Sequence, residues 1–138
     1  DALPIYLVDL RDGFSIVEGA GLANVFLPRM PALKILLNLV SNALKHHDLD
    51  HGEVRIDASV SPDGVQLVVS DDGPGIPQNL QTRVFGMFQT LRPRDQVEGS
   101  GMGLAIVEKA VTVIGGSIDL QSDGRGCRFT VQFPNQSP

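Results

Sequence analysis

From Pro31 to His46, the residues Leu33, Leu36, Leu37, Val40 and Leu44 recur at i, i+3, i+4, i+7 and i+11, the spacing that lines one face of an α-helix. The chain then switches to a period of two. Val54, Ile56, Ala58 and Val60 alternate with Glu53, Arg55, Asp57 and Ser59, and beyond the turn Ser61-Pro62-Asp63-Gly64 the alternation resumes at Val65, Leu67 and Val69. A helix running into a hairpin with one wet face is the start of a layered fold. The same order returns later. A second helix is expected from about Gly101 to Ile114, with Leu104, Val107, Val111 and Ile114 on one face and Gly115-Gly116 as its stop. Ile118 and Leu120, the turn Asp123-Gly124-Arg125-Gly126, and Cys127, Phe129, Val131 and Phe133 then form a closing hairpin. Upstream, Phe14 and Ile16, then Val25 and Leu27, predict two short strands joined by the turn Gly19-Ala20-Gly21. The order strands, helix, hairpin, long connection, helix, hairpin predicts an α+β two-layer sandwich. Its helices cover one face of a mixed, mostly antiparallel sheet, and the chain does not read as repeated βαβ units.

Composition sets the outer limits. A chain of 138 residues fits one domain, with 42% hydrophobic and 20% charged residues and a mean hydropathy of +0.06, the profile of a soluble globular unit. Its net charge of −5 argues against a nucleic-acid partner, and the single cysteine, Cys127, forms no internal disulfide. No apolar run approaches the roughly 18–20 residues that span a bilayer. The start at Asp1, with neither Met nor a signal-peptide pattern, reads as a mature or excised fragment. The expected division is 1–13 as a remnant of a preceding element or linker, 14–134 as the domain, and 135–138 as a frayed end.

Three segments carry groups suited to chemistry. On the helix stripe opposite the apolar one lie Lys34, Asn38, Ser41, Asn42 and Lys45. Two amides one turn apart with a lysine beyond them suit a hard cation such as Mg²⁺, which keeps waters and borrows phosphate oxygens; taken alone, the same stripe also describes a solvated helix face. Asp71-Asp72-Gly73-Pro74-Gly75-Ile76 follows directly on a strand. A carboxylate there can accept a hydrogen bond while glycines let the backbone approach a flat ligand, although an ordinary Gly/Pro turn has the same composition. Gly99-Ser100-Gly101-Met102-Gly103 opens the second helix, where free N–H groups favour an anion such as phosphate. It is neither a dinucleotide fingerprint nor a Walker loop, since Leu104 stands where a third glycine belongs and no Gly-Lys-Ser/Thr follows; a flexible hinge is compatible with both its glycines and a phosphate role.

In this order the segments resemble the ATP-binding catalytic domain of sensor histidine kinases, in the GHKL superfamily with the Bergerat fold. Leu37–Lys45 resembles the N box, Asp71–Ile76 the first glycine box, Phe85-Gly86-Met87-Phe88 the F box, and Gly99–Leu104 the second glycine box. The resemblance covers about residues 14–133. Phe88–Asp95 and Glu98–Gly101, with Lys45-His46-His47-Asp48, look like a subgroup attached to light- or ligand-sensing domains.

The resemblance implies ATP and Mg²⁺ as ligands. Asn42 would give its side-chain oxygen to the metal with Asn38 in support, and Lys45 would meet the phosphates; Asn42 and Lys45 are the catalytic candidates. Asp71 would accept from the adenine amino group, with Gly73, Gly75 and Ile76 lining the base site. Gly101 and Gly103 would cradle the phosphates, with Ser100, Met102 and Leu104 beside them among the nucleotide-binding residues. Residues 77–98 would form an ATP lid, from which Arg92 or Arg94 would reach the γ-phosphate. His46 stands where many members carry Tyr; an imidazole there can stack on the nucleotide, or simply end the helix. His46 and His47 are about 100° apart on a helix and make a poor metal pair.

Superfamily ATPases carry a water-activating Glu one turn before the metal Asn. Asn38 stands there and cannot be a general base, which favours phosphoryl transfer over hydrolysis. None of the three histidines lies in a motif such as H-E-x-x-x-P. The implied partners are therefore a dimerisation domain bearing the phosphoacceptor histidine and, beyond it, a response regulator of a two-component system. The isolated domain is expected to be a monomer facing the cytoplasm. Alternatives within the same fold are an anti-sigma-type Ser/Thr kinase and a nucleotide-binding interaction module without catalysis.

Overall fold

The structure is a computed structural model and describes residues 12–77, 81 and 102–135. Strand β1 (Phe14–Glu18) leads through a 3-10 helix (Ala20–Asn24) into helix α1 (Arg29–Lys45). The hairpin β2 (Gly52–Ser61) and β3 (Gly64–Asp71) follows. Helix α2 (Met102–Val113) precedes the closing hairpin of β4 (Ser117–Gln121) and β5 (Cys127–Pro134). The strands form a single five-stranded sheet in the order β1-β2-β3-β5-β4. Only β1 and β2 are parallel; the other neighbours are antiparallel. The α+β sandwich expected from the sequence is the observed fold.

Strand alternation divides the sheet into a dry and a wet face. Val54, Ile56 and Ala58 of β2, Leu67 and Val69 of β3, and Phe129, Val131 and Phe133 of β5 are buried. They meet Ala32, Ile35, Leu36, Leu39, Val40, Ala43 and Leu44 of α1 and Leu104, Val107 and Val111 of α2 in one core. Arg55, Asp57 and Ser59 stand on the other face, exposed. The buried stripe of α1 is rotated from the one its leucines suggest, because Leu33 and Leu37 are only half-buried while Ile35 and Leu39 are fully inside. The cause is that α1 packs on α2 as well as on the sheet, so its apolar face spans two partners.

The second strand expected around Val25 and Leu27 is absent. Residues 25–28 have no regular structure, and Val25 and Leu27 pack partly buried against the core. The reason is topological: β1 lies parallel to β2, so the chain must leave the sheet edge and cross over through α1 rather than turn back as a hairpin. Gly19 makes that exit, donating its N–H to the Ile56 carbonyl at 2.7 Å. A side chain there would run into the Asp57 carboxylate. Helix α1 starts two residues before Pro31, which still falls in the first turn, where its missing N–H costs no hydrogen bond.

Leu36 is fully buried between the helical layer and the sheet. Leu36→Ala should therefore lower unfolding stability by about 2–5 kcal/mol, read from urea denaturation at constant m-value.

Candidate functional site

Parity along β3 decides what its last residue faces. Leu67 and Val69 point to the helices, so Asp71, two residues on, leaves the sheet on the same side. It is held there by pairing with Val54 on one side and Cys127 on the other. Its Oδ1 accepts the Gly73 N–H at 2.9 Å. Burial pushes the Asp71 carboxyl above its ordinary value of 3.8, against the pull of the Gly73 N–H, His47 and the Cys127 N–H. This is a half-buried acceptor at a strand end, rigidly placed.

The turn after Asp71 is clasped by the β4–β5 connection. Gly126 donates its N–H to the Gly73 carbonyl at 2.8 Å, and the Ser122 hydroxyl accepts the Ile76 N–H at 2.9 Å while donating to the Gly126 carbonyl at 2.6 Å. Gln81 adds a third tie, its amide donating to the carbonyls of Ile76 and Ser122 at 3.0 and 2.9 Å. Gly75 sits at φ +82°, and a Cβ there would strike the Gly124 carbonyl oxygen. The glycine is thus demanded by the chain's own packing, independently of any ligand. Ile76 is buried in the core and anchors the end of the turn.

On α1, Asn38 and Asn42 are half-buried and Lys45 is exposed. The Asn38 amide nitrogen donates to the Lys34 carbonyl at 2.7 Å, which leaves its oxygen as the remaining acceptor. His46 is half-buried and ends the helix, its N–H closing on the Asn42 carbonyl at 3.1 Å. In the second glycine-rich segment, Met102 and Gly103 lie in the first turn of α2 and Leu104 is buried in the core, so the Leu104 side chain anchors the helix start. Ser100, Gly101, Arg92, Arg94, the Phe85–Phe88 segment and, apart from Pro77 and Gln81, the expected lid 77–98 lie outside the described residues.

Sequence reasoning missed the residues that bind these segments together. His47 is buried, with Nε2 2.8 Å from Asp72 Oδ1 and Nδ1 accepting the Leu49 N–H at 3.1 Å. Its ring meets Phe14 edge-on at 5.1 Å. Desolvation tends to raise the Asp72 carboxyl, but the Glu53 N–H and His47 outweigh it and hold it below the usual range. Beside His47, Asp48 takes a two-pronged contact from Arg125 at 2.7 and 3.0 Å, which lowers its carboxyl to about 2. Burial and the neighbouring Asp71 push the Cys127 thiol up to about 11, so it stays protonated at neutral pH. The doubled Asp71-Asp72 and the adjacent His46-His47 were the only traces of this network in the sequence.

The family model described as "Histidine kinase-, DNA gyrase B-, and HSP90-like ATPase" matches residues 29–137. The sensor histidine kinase TmoS of Ectopseudomonas mendocina is 40% identical over 109 residues, 76% of this chain and 11% of that protein. The sensor protein KdpD of Escherichia coli (strain K12) is 37% identical over 106 residues, 75% of this chain and 12% of that protein. The chain therefore spans only a small part of the length of these curated relatives. Among solved structures, the catalytic domain of histidine kinase ThkA superposes with a TM-score of 0.70 at 28% identity, covering 88% of this chain and 77% of that one. Full-length ShkA in complex with AMPPNP superposes with a TM-score of 0.74 at 28% identity, covering 91% of this chain and 27% of that one. With its half-buried strand-end carboxylate and amide-bearing helix, the chain belongs to the histidine kinase-, DNA gyrase B- and HSP90-like ATPase family, as a domain of the kind sensor histidine kinases carry.

Proposed function

We propose that this chain binds Mg–ATP and presents its γ-phosphate for transfer to a histidine on a separate dimerisation domain, as the catalytic part of a two-component sensor kinase. The observation that carries the reading is Asp71, a half-buried carboxylate fixed by the Gly73 N–H at the end of a central strand. In the proposal it accepts from the adenine amino group, while Gly73, Gly75 and Ile76 shape the base site. The complex of the structural neighbour ShkA with AMPPNP supports a nucleotide as the ligand class.

The phosphate end rests on α1 and on the segment that opens α2. Asn42 offers an amide oxygen to the magnesium ion, with Asn38 beside it, and Lys45 supplies a positive charge for the phosphates. Among the described residues no group of three His, Cys, Asp or Glu side chains is placed to hold a metal ion. A cation that arrives with the nucleotide, coordinated mainly by phosphate and water, fits this donor set. Such an ion neutralises charge that develops on the transferring phosphoryl group. Ser100, Gly101, Met102, Gly103 and Leu104 are proposed to cradle the phosphates, His46 to flank the nucleotide, and Arg94 or Arg92 to reach the γ-phosphate. The neutral Asn38 amide is too weak a base to take a proton from water, so the chain's task is positioning for in-line attack by an imidazole rather than hydrolysis. The whole protein's partners would be the phosphoacceptor domain and a response regulator, on the cytoplasmic side where ATP is found. No helix among the described residues is long and apolar enough to cross a membrane.

Calorimetric titration with ATP tests the site. Asp71→Asn should weaken binding by about 10- to 150-fold, the equivalent of a charged hydrogen bond of about 1.5–3 kcal/mol. Asn42→Ala should remove the gain that Mg²⁺ gives the wild type. Absence of ATP binding by the folded wild-type chain would overturn the proposal.

Stability should respond to Asp71→Asn in the opposite sense. The folded pKa is raised above 3.8, so ionising Asp71 is harder in the fold than in the unfolded chain and opposes folding at neutral pH. Asp71→Asn should melt at or above the wild-type temperature at pH 7. That difference should shrink as pH falls through the raised folded value toward the ordinary value of 3.8, and be gone below it, where both states are protonated; thermal melts across this range check it.

A further inference from the structure

We infer that His47 is a positioning residue for the nucleotide-base site: its Nε2–H grips the Asp72 carboxylate and thereby fixes the turn that carries Asp71. The inference rests on Asp71 as the base acceptor proposed above.

The geometry assigns the proton. Nδ1 accepts the Leu49 N–H at 3.1 Å and must present a lone pair, so Nε2 carries the hydrogen and donates it to Asp72 Oδ1 at 2.8 Å. That same oxygen accepts the Glu53 N–H at 3.0 Å. One carboxylate oxygen thus joins the chain leaving α1, the start of β2 and the end of β3. The imidazole is 2% exposed, so the bond is shielded from competing water on its histidine side. The surroundings are shaped around it. A Cβ on Gly52 would collide with His47 Nε2 and lie 2.8 Å from Asp72 Oδ1. A Cβ on Gly73 would lie 3.0 Å from Asp71 Oδ1 and 3.6 Å from His47 Cδ2, so the ring forms a wall beside the turn.

The next residue extends the grip. Asp48 holds Arg125 in the β4–β5 connection, and Gly126 of that connection donates to the Gly73 carbonyl. Two consecutive residues after α1 therefore hold both sides of the Asp71–Gly73 turn, His47 through Asp72 and Asp48 through Arg125. Asp71 belongs to neither contact, yet its carboxylate is only as well placed as the turn that follows it.

The test is calorimetric titration of the 138-residue chain with Mg–ATP, Mg–GTP and Mg–tripolyphosphate. GTP replaces the amino donor at the base with a carbonyl, and tripolyphosphate has no base. His47→Ala should weaken ATP about tenfold, move the ATP-to-GTP affinity ratio toward one, and leave tripolyphosphate unchanged. His47→Gln carries an amide nitrogen near the Nε2 position and should restore most of the ratio. His47→Asn keeps an acceptor for Leu49 but falls short of Asp72, and should not. The Gln and Asn variants decide the matter if His47→Ala fails to fold.

An unchanged ratio in the folded Ala or Asn variant would overturn the inference. So would a proportional loss of all three ligands, or equal losses in Gln and Asn. Asp71→Asn in the same assay separates the two layers. If it leaves the ratio intact, the base-acceptor reading fails and this inference falls with it; if it abolishes the ratio while the His47 variants do not, only the role of His47 is lost.

Discussion

β3 is hydrogen-bonded along its whole length on both sides, from Gly64 to Asp71, by β2 and by β5. That double pairing is the constraint on which the rest of the structure depends. Because side chains alternate, a slip of one residue in either register would exchange the faces of Leu67, Val69 and Asp71 with those of Val68 and Ser70. The core would lose Leu67 and Val69, and the carboxylate would turn to the wet face of the sheet. The hydrophobic pattern that buries Leu67 completely is therefore also what aims Asp71 toward the helices. Placement of the proposed base acceptor and formation of the core are a single event.

A carboxylate in that position opposes folding, and the surrounding chain limits the opposition with backbone donors and the nearby His47 rather than with a directly bonded arginine or lysine. The Gly73 N–H and the Cys127 N–H both favour the ionised form. Arginine or lysine in the same place would hold the charge more firmly, but would also occupy the acceptor proposed for a base amino group. The clasp between Gly73–Ile76 and Ser122–Gly126 serves the same end. It makes the turn stiff by hydrogen bonding to a neighbouring turn, so the acceptor oxygen is set before any ligand arrives.

Much of this was legible in the sequence because it is local. The helical period of residues 31–46, the alternation in both hairpins and the Gly-Gly stop after α2 each follow from spacings of two to four residues, and each element lies where those spacings put it. The fold class followed from their order. What escaped is non-local. Nothing near Val25 and Leu27 distinguishes a strand from extended chain packed against a core; the parallel pairing of β1 with β2 decides it. The burial of Leu39 in preference to Leu37 depends on α2, which is far away in the chain. His47 bonds a residue 25 positions on, and Asp48 one 77 positions on. Neither contact leaves a periodic trace. The local motif around Asp71 was visible, whereas the side chains that hold it were not.

The same distinction bears on the proposed phosphoryl transfer. Attack on phosphorus needs an imidazole nitrogen with an available lone pair and a clear line to the γ-phosphate. His47 has both nitrogens engaged, one by Leu49 and one by Asp72, and its ring is enclosed. His51 is exposed, but it stands at the entry to β2 with Nδ1 against Asp50. His46 closes the last turn of α1, the helix that carries the proposed metal ligand Asn42, and so belongs to the same framework as that ligand. A histidine fixed to the proposed nucleotide-holding framework is no independent nucleophile toward the γ-phosphate that the framework would hold. In the proposed reading the acceptor therefore lies on another domain, and His47 has a different use: a structural donor whose hold on Asp72 fixes the turn beside the residue proposed to read the base.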